Sequence, residues 1–153
     1  MSLVGKEAPG FKTKNHLMED VTLSQFKGKK VVLAFYPAAF TGVCQNEMCT
    51  FQSSLSALNE LGAEVLGVST DLPFANKVFA DQNDLKFSLL SDPSRGIVNA
   101  YGVAFEGFAG MPECTVAQRS VFIIGEDGKV SFEWIAENPG IEPDYEAVKA
   151  ALG

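Results

Sequence analysis

The chain has 153 residues, 46% of them hydrophobic and 20% charged, with a formal net charge of −7. This predicts a single globular domain, residues 1–153, and excludes a disordered chain. The acidic balance and the scattered lysines argue against nucleic acid or an anionic membrane as a partner, since both require a basic patch. The longest apolar run, Val31 to Tyr36, is far shorter than the ~20 residues of a membrane helix. Because the amino terminus also lacks a secretory pattern, we expect a cytoplasmic protein.

In chain order, the first half predicts alternating strands and helices. Ser24 is expected to cap a short turn, and the β-branched run Val31 to Tyr36 predicts a buried central strand. A helical pattern extends from about Gly42 to Leu61, and Gly62 ends it. The following elements are a strand at Ala63 to Ser69 and a helix at Leu72 to Gln82. The apolar residues of that second helix are spaced for one face: Phe74, Val78 and Phe79.

The second half completes an alternating pattern. Its predicted elements are a strand at Phe87 to Leu90, a short helix at Arg95 to Tyr101, a loop at Val103 to Gln118, a hairpin of strands Arg119 to Ile124 and Val130 to Ala136, and a helix from the cap Asp144 to Leu152. This order predicts an α/β protein with a thioredoxin-like fold, in which helices cover both faces of a central mixed sheet. Such a fold does not by itself indicate a function.

The number and spacing of the cysteines limit the roles that they can have in this chain. The three cysteines are an odd number, which does not fit a disulfide-stapled secreted domain. Three dispersed cysteines and one remote histidine, His16, are a poor set for a zinc site, which needs four ligands. We therefore expect no metal, and we interpret the cysteines as packing residues or reactive thiols.

Cys44 follows the central strand at the point where a helix is predicted to begin. Ligands of open α/β sheets bind at the carboxyl ends of strands, and a helix amino terminus carries partial positive charge. Both effects favour a thiolate and lower the pKa of Cys44 from its ordinary value of about 8.5. The Thr41 hydroxyl can hold a peroxide oxygen, and Pro37 can shield the thiolate from water. Alternatively, Thr41 is only a helix cap and Cys44 a small buried hydrophobic residue.

Arg119 begins an apolar strand, where a charge is costly to bury without a partner. In a thioredoxin-like sheet this strand lies beside the strand that leads to Cys44. A guanidinium there can stabilise a thiolate and polarise a peroxide. The alternative is a salt bridge at the rim of the sheet.

The segment Phe35-Tyr-Pro-Ala-Ala-Phe-Thr-Gly-Val-Cys44 resembles the peroxiredoxin signature of proline, three residues, threonine, two residues and cysteine. The strand Gln118 to Ile124 looks like the one that bears the active-site arginine in that family, and Val4 to Phe11 is similar to its usual amino terminus. The resemblance covers nearly the whole chain. It indicates a member of the AhpC/TSA superfamily.

The resemblance implies that Cys44 is oxidised by hydrogen peroxide or an organic hydroperoxide to a sulfenic acid, with Pro37, Thr41 and Arg119 completing the site. It also implies reduction by a thioredoxin-like or other thiol reductant, with no metal, haem or flavin, and a homodimer. Glu47 matches an acidic position of some relatives, although a solvated helix residue is an equal alternative. Loop aromatics can line an apolar mouth or a dimer surface: Phe40, Phe105 and Phe108.

The sequence does not decide which thiol reacts with the sulfenic acid of Cys44. Ala39 to Gln45 looks like the alkyl hydroperoxide reductase E group, which commonly has no intramolecular resolving cysteine. Cys49 instead resembles the resolving position of the bacterioferritin comigratory protein (PrxQ) group. In an intact helix, five residues separate the two thiols by ~7.5 Å along the axis, whereas a disulfide needs Cα atoms closer than about 7 Å, so the helix must unwind. Cys114, in the predicted loop, and an external thiol are the competitors.

Three other functions remain to be weighed against a peroxidase. A redox relay that senses peroxide and oxidises a partner protein needs the same reactive Cys44. A thioredoxin-type disulfide oxidoreductase typically uses a Cys-x-x-Cys motif, which the chain lacks. A purely structural domain predicts a Cys44 that resists peroxide.

Overall fold

The computed structural model describes residues 2–153, except for the side chain of Cys44. The strands are β1 (Lys12–Lys14), β2 (Asp20–Thr22), β3 (Lys30–Phe35), β4 (Ala63–Ser69), β5 (Ser88–Ser91), β6 (Ala104–Glu106), β7 (Thr115–Ala117), β8 (Ser120–Ile124) and β9 (Val130–Ile135). The α-helices are α1 (Gly42–Ser53), α2 (Leu55–Glu60), α3 (Pro73–Gln82), α4 (Gly96–Ala100) and α5 (Tyr145–Leu152), and 3₁₀ turns lie at Leu23–Phe26 and Phe108–Gly110.

A mixed sheet of five strands forms the centre, in the order β5-β4-β3-β8-β9. Strand β3 pairs in parallel with β4 and antiparallel with β8, and β8 and β9 form the predicted hairpin. In the β3–β8 register Phe35 lies opposite Ser120, so Arg119 comes next to the carboxyl end of β3. The predicted thioredoxin-like arrangement is confirmed.

Each face of this sheet packs into its own apolar core, since successive strand residues point to opposite faces. One core joins Val32 and Ala34 of β3 to residues of α1, α2, α3 and α5. The other joins Leu33 and Phe35 to α4 and to the 3₁₀ turn at Leu23–Phe26. Burial on both faces explains why β3 is an uninterrupted apolar run rather than an alternating one.

Two predicted elements are wrong in extent. The expected helix Gly42 to Leu61 is divided at Ser54, where the Ser54 N–H bonds to the carbonyls of both Thr50 and Phe51 and tightens the turn. The expected loop Val103 to Gln118 contains the antiparallel pair β6–β7. Strands of three residues are too short to give a readable alternation of polar and apolar residues.

Two local predictions are also wrong. Thr22, not Ser24, precedes the 3₁₀ turn, and its N–H donates to the side-chain oxygen of Gln25 at 2.6 Å. In α3 the three apolar residues do not share a buried face: Phe79 is buried, whereas Phe74 is 67% and Val78 48% exposed.

Other predicted boundaries are confirmed. Gly62 follows α2 in the left-handed region, with φ of 79°. The Asp144 carboxylate caps α5 by accepting from the Ala147 N–H at 3.1 Å. In the described part of the chain, every helix is too short or too polar to cross a lipid bilayer.

Candidate active site

The segment from Tyr36 to Thr41 connects β3 to α1 at the carboxyl edge of the parallel strands. Pro37 is buried there, and Thr41 immediately precedes α1 with an extended backbone (φ −84°, ψ 147°). The Thr41 hydroxyl donates to the Ala38 carbonyl at 3.1 Å, and the Gln45 N–H donates to the Thr41 carbonyl at 2.9 Å. The predicted proline and threonine therefore lie in one short loop at the start of α1.

Cys44 is the third residue of α1, as the sequence predicts, and its side chain lies outside the described part of the structure. The first turn of α1 contains no acidic residue. The positive end of the helix dipole is therefore not offset by a carboxylate within that turn.

Arg119 and Glu47 form a buried pair. Their side chains are 1% and 0% exposed, and Arg119 Nη1 donates to Glu47 Oε1 at 2.5 Å. Arg119 Nε donates to the Pro139 carbonyl at 3.0 Å. Two fixed acceptors hold the plane of the guanidinium. The alternatives of a rim salt bridge for Arg119 and a solvated side chain for Glu47 are both wrong.

Burial raises the pKa of Glu47 to about 8, and the neighbouring Arg119 only partly opposes this effect. Glu47 Oε2 has no hydrogen-bond partner among the described residues. Burial thus favours the protonated form of Glu47 beside the Arg119 guanidinium.

The two other cysteines lie on opposite sides of the sheet. Cys49, in α1, is half-buried and its thiol lies 3.5 Å from Asn83 Oδ1. Cys114 is half-buried just before β7, and the β6–β7 pair packs on the core opposite to that of α1. Among the described residues, no group of three histidine, cysteine or acidic side chains is arranged as metal ligands would be.

Two polar residues that the sequence analysis did not single out make hydrogen bonds to the loop from elsewhere in the chain. The Ala39 N–H donates to Asp71 Oδ2 at 2.8 Å, and the Tyr36 hydroxyl donates to Asn76 Oδ1 at 2.8 Å. Asp71 comes two residues after the end of β4, beside the carboxyl end of β3. Polar residues at that position of a neighbouring parallel strand are the signal that predicts such contacts.

The sequence is similar to known proteins over most of its length. The family model described as "AhpC/TSA family" matches residues 4–133. A putative peroxiredoxin bcp from Haemophilus influenzae is 39% identical over 128 residues, which are 83% of this chain and 82% of the relative. An alkyl hydroperoxide reductase C from Staphylococcus epidermidis is 38% identical over 139 residues, 85% of this chain and 70% of the relative.

The fold was compared with solved structures in the same way. The crystal structure of peroxidoxin BcpB from Mycobacterium tuberculosis superposes with a TM-score of 0.88 at 26% identity, covering 99% of this chain and 97% of that one. The sequence and fold similarities each extend over most of the described residues. The chain belongs to the AhpC/TSA family of peroxiredoxins.

Proposed function

We propose that this protein is a thiol peroxidase that reduces hydrogen peroxide and organic hydroperoxides through Cys44. The observation that carries the proposal is the buried Arg119–Glu47 pair. Glu47 follows Cys44 by three residues, which is a rise of about 4.5 Å and nearly one full turn of α1. Arg119 binds Glu47 and directly precedes β8, the strand beside β3, and both contacts support a place for its guanidinium near the first turn of α1.

The proposed reaction is a two-electron oxidation of Cys44 by the peroxide. The Cys44 thiolate attacks one peroxide oxygen and the O–O bond breaks, with both electrons of that bond passing to the leaving oxygen. The leaving oxygen takes up a proton and departs as water or an alcohol. The sulfur is thereby oxidised to a sulfenic acid, the first and reversible step of cysteine oxidation.

Each neighbour has a role that its contacts support. Arg119 donates hydrogen bonds to the peroxide oxygens and stabilises negative charge on the sulfur and on the leaving oxygen. The single Thr41 hydroxyl proton is engaged by Ala38, so the Thr41 oxygen acts as an acceptor for the peroxide O–H. Buried Pro37 keeps bulk water from the thiolate.

Cys49 is the proposed resolving residue. Its thiol condenses with the sulfenic acid, which releases water and forms a disulfide to Cys44. Because α1 is helical through both positions, its first turns must unwind before the sulfur atoms can meet. The hydroxyls of Thr50 and Ser53 bond back to carbonyls one turn earlier in α1, which weakens a helix. Cys114 is a poorer candidate, because the β6–β7 pair beside it packs on the opposite face of the sheet.

A dithiol reductant completes the cycle. Thiol–disulfide exchange with a thioredoxin-like protein reduces the Cys44–Cys49 bond and restores both thiols. This chemistry fits a reducing compartment, and we propose that the protein acts in the cytoplasm as a single domain spanning residues 1–153. The residues assigned here require no metal, haem or flavin.

We further propose a homodimer formed through an apolar patch beside the active-site loop. The patch consists of exposed side chains from the active-site loop, from the residue before α3 and from α3 itself: Phe40, Leu72, Phe74 and Val78. Phe74→Glu should shift the sedimentation coefficient from dimer to monomer, whereas Val4→Glu, a change at a similarly exposed apolar residue outside the patch, should not. A wild-type monomer at micromolar concentration would contradict the dimer.

The decisive experiment for the function is peroxide consumption by matched cysteine variants. Cys44→Ser should abolish it. Cys49→Ser should keep one round of Cys44 oxidation but lose thioredoxin-dependent turnover, and Cys114→Ser should retain both. Intact-protein mass spectrometry would locate the bridge: a persistently free Cys49 thiol after peroxide treatment would contradict its resolving role. Oxidation of Cys44 without steady-state turnover by any dithiol would contradict a peroxidase and favour a relay.

A further inference from the structure

One peptide unit of the active-site loop is held at both ends. The Ala39 N–H donates to Asp71 Oδ2 at 2.8 Å, and the Ala38 carbonyl accepts from Thr41 Oγ1 at 3.1 Å. This N–H and this carbonyl belong to the same peptide, which is trans like the others in the described residues. In a planar trans peptide the two groups point in opposite directions. Asp71 and Thr41 therefore hold opposite ends of one rigid plane.

Asp71 is itself fixed to the central sheet. The Ser69 hydroxyl donates to the same carboxylate oxygen at 2.9 Å, and the Asp71 N–H donates back to Ser69 Oγ at 3.3 Å. Ser69 is fully buried at the end of β4. The position of the carboxylate is thus set by the sheet rather than by the mobility of a surface side chain.

The backbone immediately after this peptide is strained. Phe40 has φ of 68°, in the left-handed region that a bulky residue rarely adopts, and its ring packs edge-on against Phe79 at 5.3 Å between centroids. Such a conformation persists only where the surroundings hold it. The Asp71 bond to Ala39 acts on the residue directly before Phe40, and Thr41 is the residue directly after it.

We propose that Asp71 is a positioning residue that sets the direction of the Thr41 hydroxyl through the Ala38–Ala39 peptide; this inference rests on the peroxidase function proposed above. The carboxylate fixes the N–H and, by polarising the peptide, strengthens the acceptor at its other end. The Thr41 proton is then committed to Ala38, and the lone pairs of the hydroxyl are directed at the peroxide O–H. Without Asp71 the peptide can rotate and the hydroxyl loses its fixed orientation.

The first test measures the second-order rate constant for oxidation of the reduced full-length protein by hydrogen peroxide, by stopped flow. Asp71→Ala should lower it about tenfold, the effect of losing one well-placed hydrogen bond. Asp71→Asn, which keeps an oxygen acceptor for the Ala39 N–H, should stay within about threefold of wild type. Glu126→Ala removes an exposed carboxylate from the hairpin turn at the other end of β8 and should leave the rate unchanged.

The second test asks whether Asp71 acts through Thr41. In a Thr41→Val background, Asp71→Ala should change the rate less than about twofold, because the hydroxyl it orients is gone. Equal slowing by Asp71→Ala in both backgrounds would overturn the proposal, as would a wild-type rate in Asp71→Ala itself.

A further variant keeps the proposal falsifiable if Asp71→Ala does not fold. Asp71→Glu retains the charge but displaces the acceptor by one methylene, and it should still slow oxidation several-fold; a wild-type rate would count against positioning. Failure of the proposed function gives a different result, since the wild-type protein would then either resist oxidation by peroxide or be oxidised without steady-state turnover by a dithiol.

Discussion

Removal of Glu47 should destabilise the protein, because it removes the buried carboxyl group that accepts a hydrogen bond from Arg119. Glu47→Ala removes the acceptor that lies 2.5 Å from Nη1 of Arg119, a side chain that is 1% exposed in the wild-type protein. Loss of a buried hydrogen bond made by a charged group costs about 1.5–3 kcal/mol. Since each kcal/mol lowers Tm by about 2–4 °C in a domain of this size, Tm should fall by about 6 °C.

The assay is urea unfolding at pH 7, followed by circular dichroism, with Glu47→Gln as the matched control. The glutamine oxygen can still accept from Arg119, so that variant should lie within about 1 kcal/mol of wild type. The alanine variant should also be oxidised more slowly by peroxide, because Arg119 is no longer held in one plane. If Glu47→Ala unfolds within about 0.5 kcal/mol of wild type, the range of an ordinary surface substitution, the pair does not have the role described here.

Three further predictions concern stability and are checked by the same unfolding assay. Folding raises the pKa of Glu47 to about 8, so between about pH 5 and pH 8 the folded protein holds a proton that the unfolded chain has released. The free energy of unfolding of the wild type, relative to that of Glu47→Gln, should therefore fall as the pH rises through this range. A difference that does not change with pH would contradict the raised pKa. Gly67→Ala places a methyl group 2.7 Å from Leu89 Cδ2 and should cost about 1–3 kcal/mol, so a neutral result would show that the core relaxes freely. Asp144→Ala removes the cap of α5 and should cost about 1 kcal/mol, whereas Asp144→Asn should not.

The sequence alone was sufficient to predict the central sheet and the loop before α1. Strand β3 is readable because burial on both faces makes it uniformly apolar, and glycines such as Gly62 mark where helices end. The division of the long helix at Ser54 could not be predicted, because serine is tolerated inside helices and the break depends on local hydrogen bonds. Strands β6 and β7 were missed because each has only three residues and is stabilised by its partner rather than by a pattern of its own.

For the proposed site, the sequence suggested the residues but not the groups that they contact. Pro37 and Thr41 follow from the spacing of the motif, and Arg119 from a lone charge at the start of an apolar strand. The pairing of Arg119 with Glu47 joins residues 72 positions apart, and the contact of Asp71 with Ala39 joins residues 32 apart. Contacts of that range depend on strand register, which a single sequence does not specify.

The measurement that tests the central claim most directly is the thiolate titration of Cys44 in the reduced protein, taken as the difference in thiolate absorbance between wild type and Cys44→Ser. If Cys44 is the proposed nucleophile at the amino terminus of α1, its thiol should have a pKa between about 3.5 and 7.5, and hydrogen peroxide should abolish its signal by oxidation. A Cys44 that titrates near the free value of about 8.5 and survives peroxide unchanged would contradict the account.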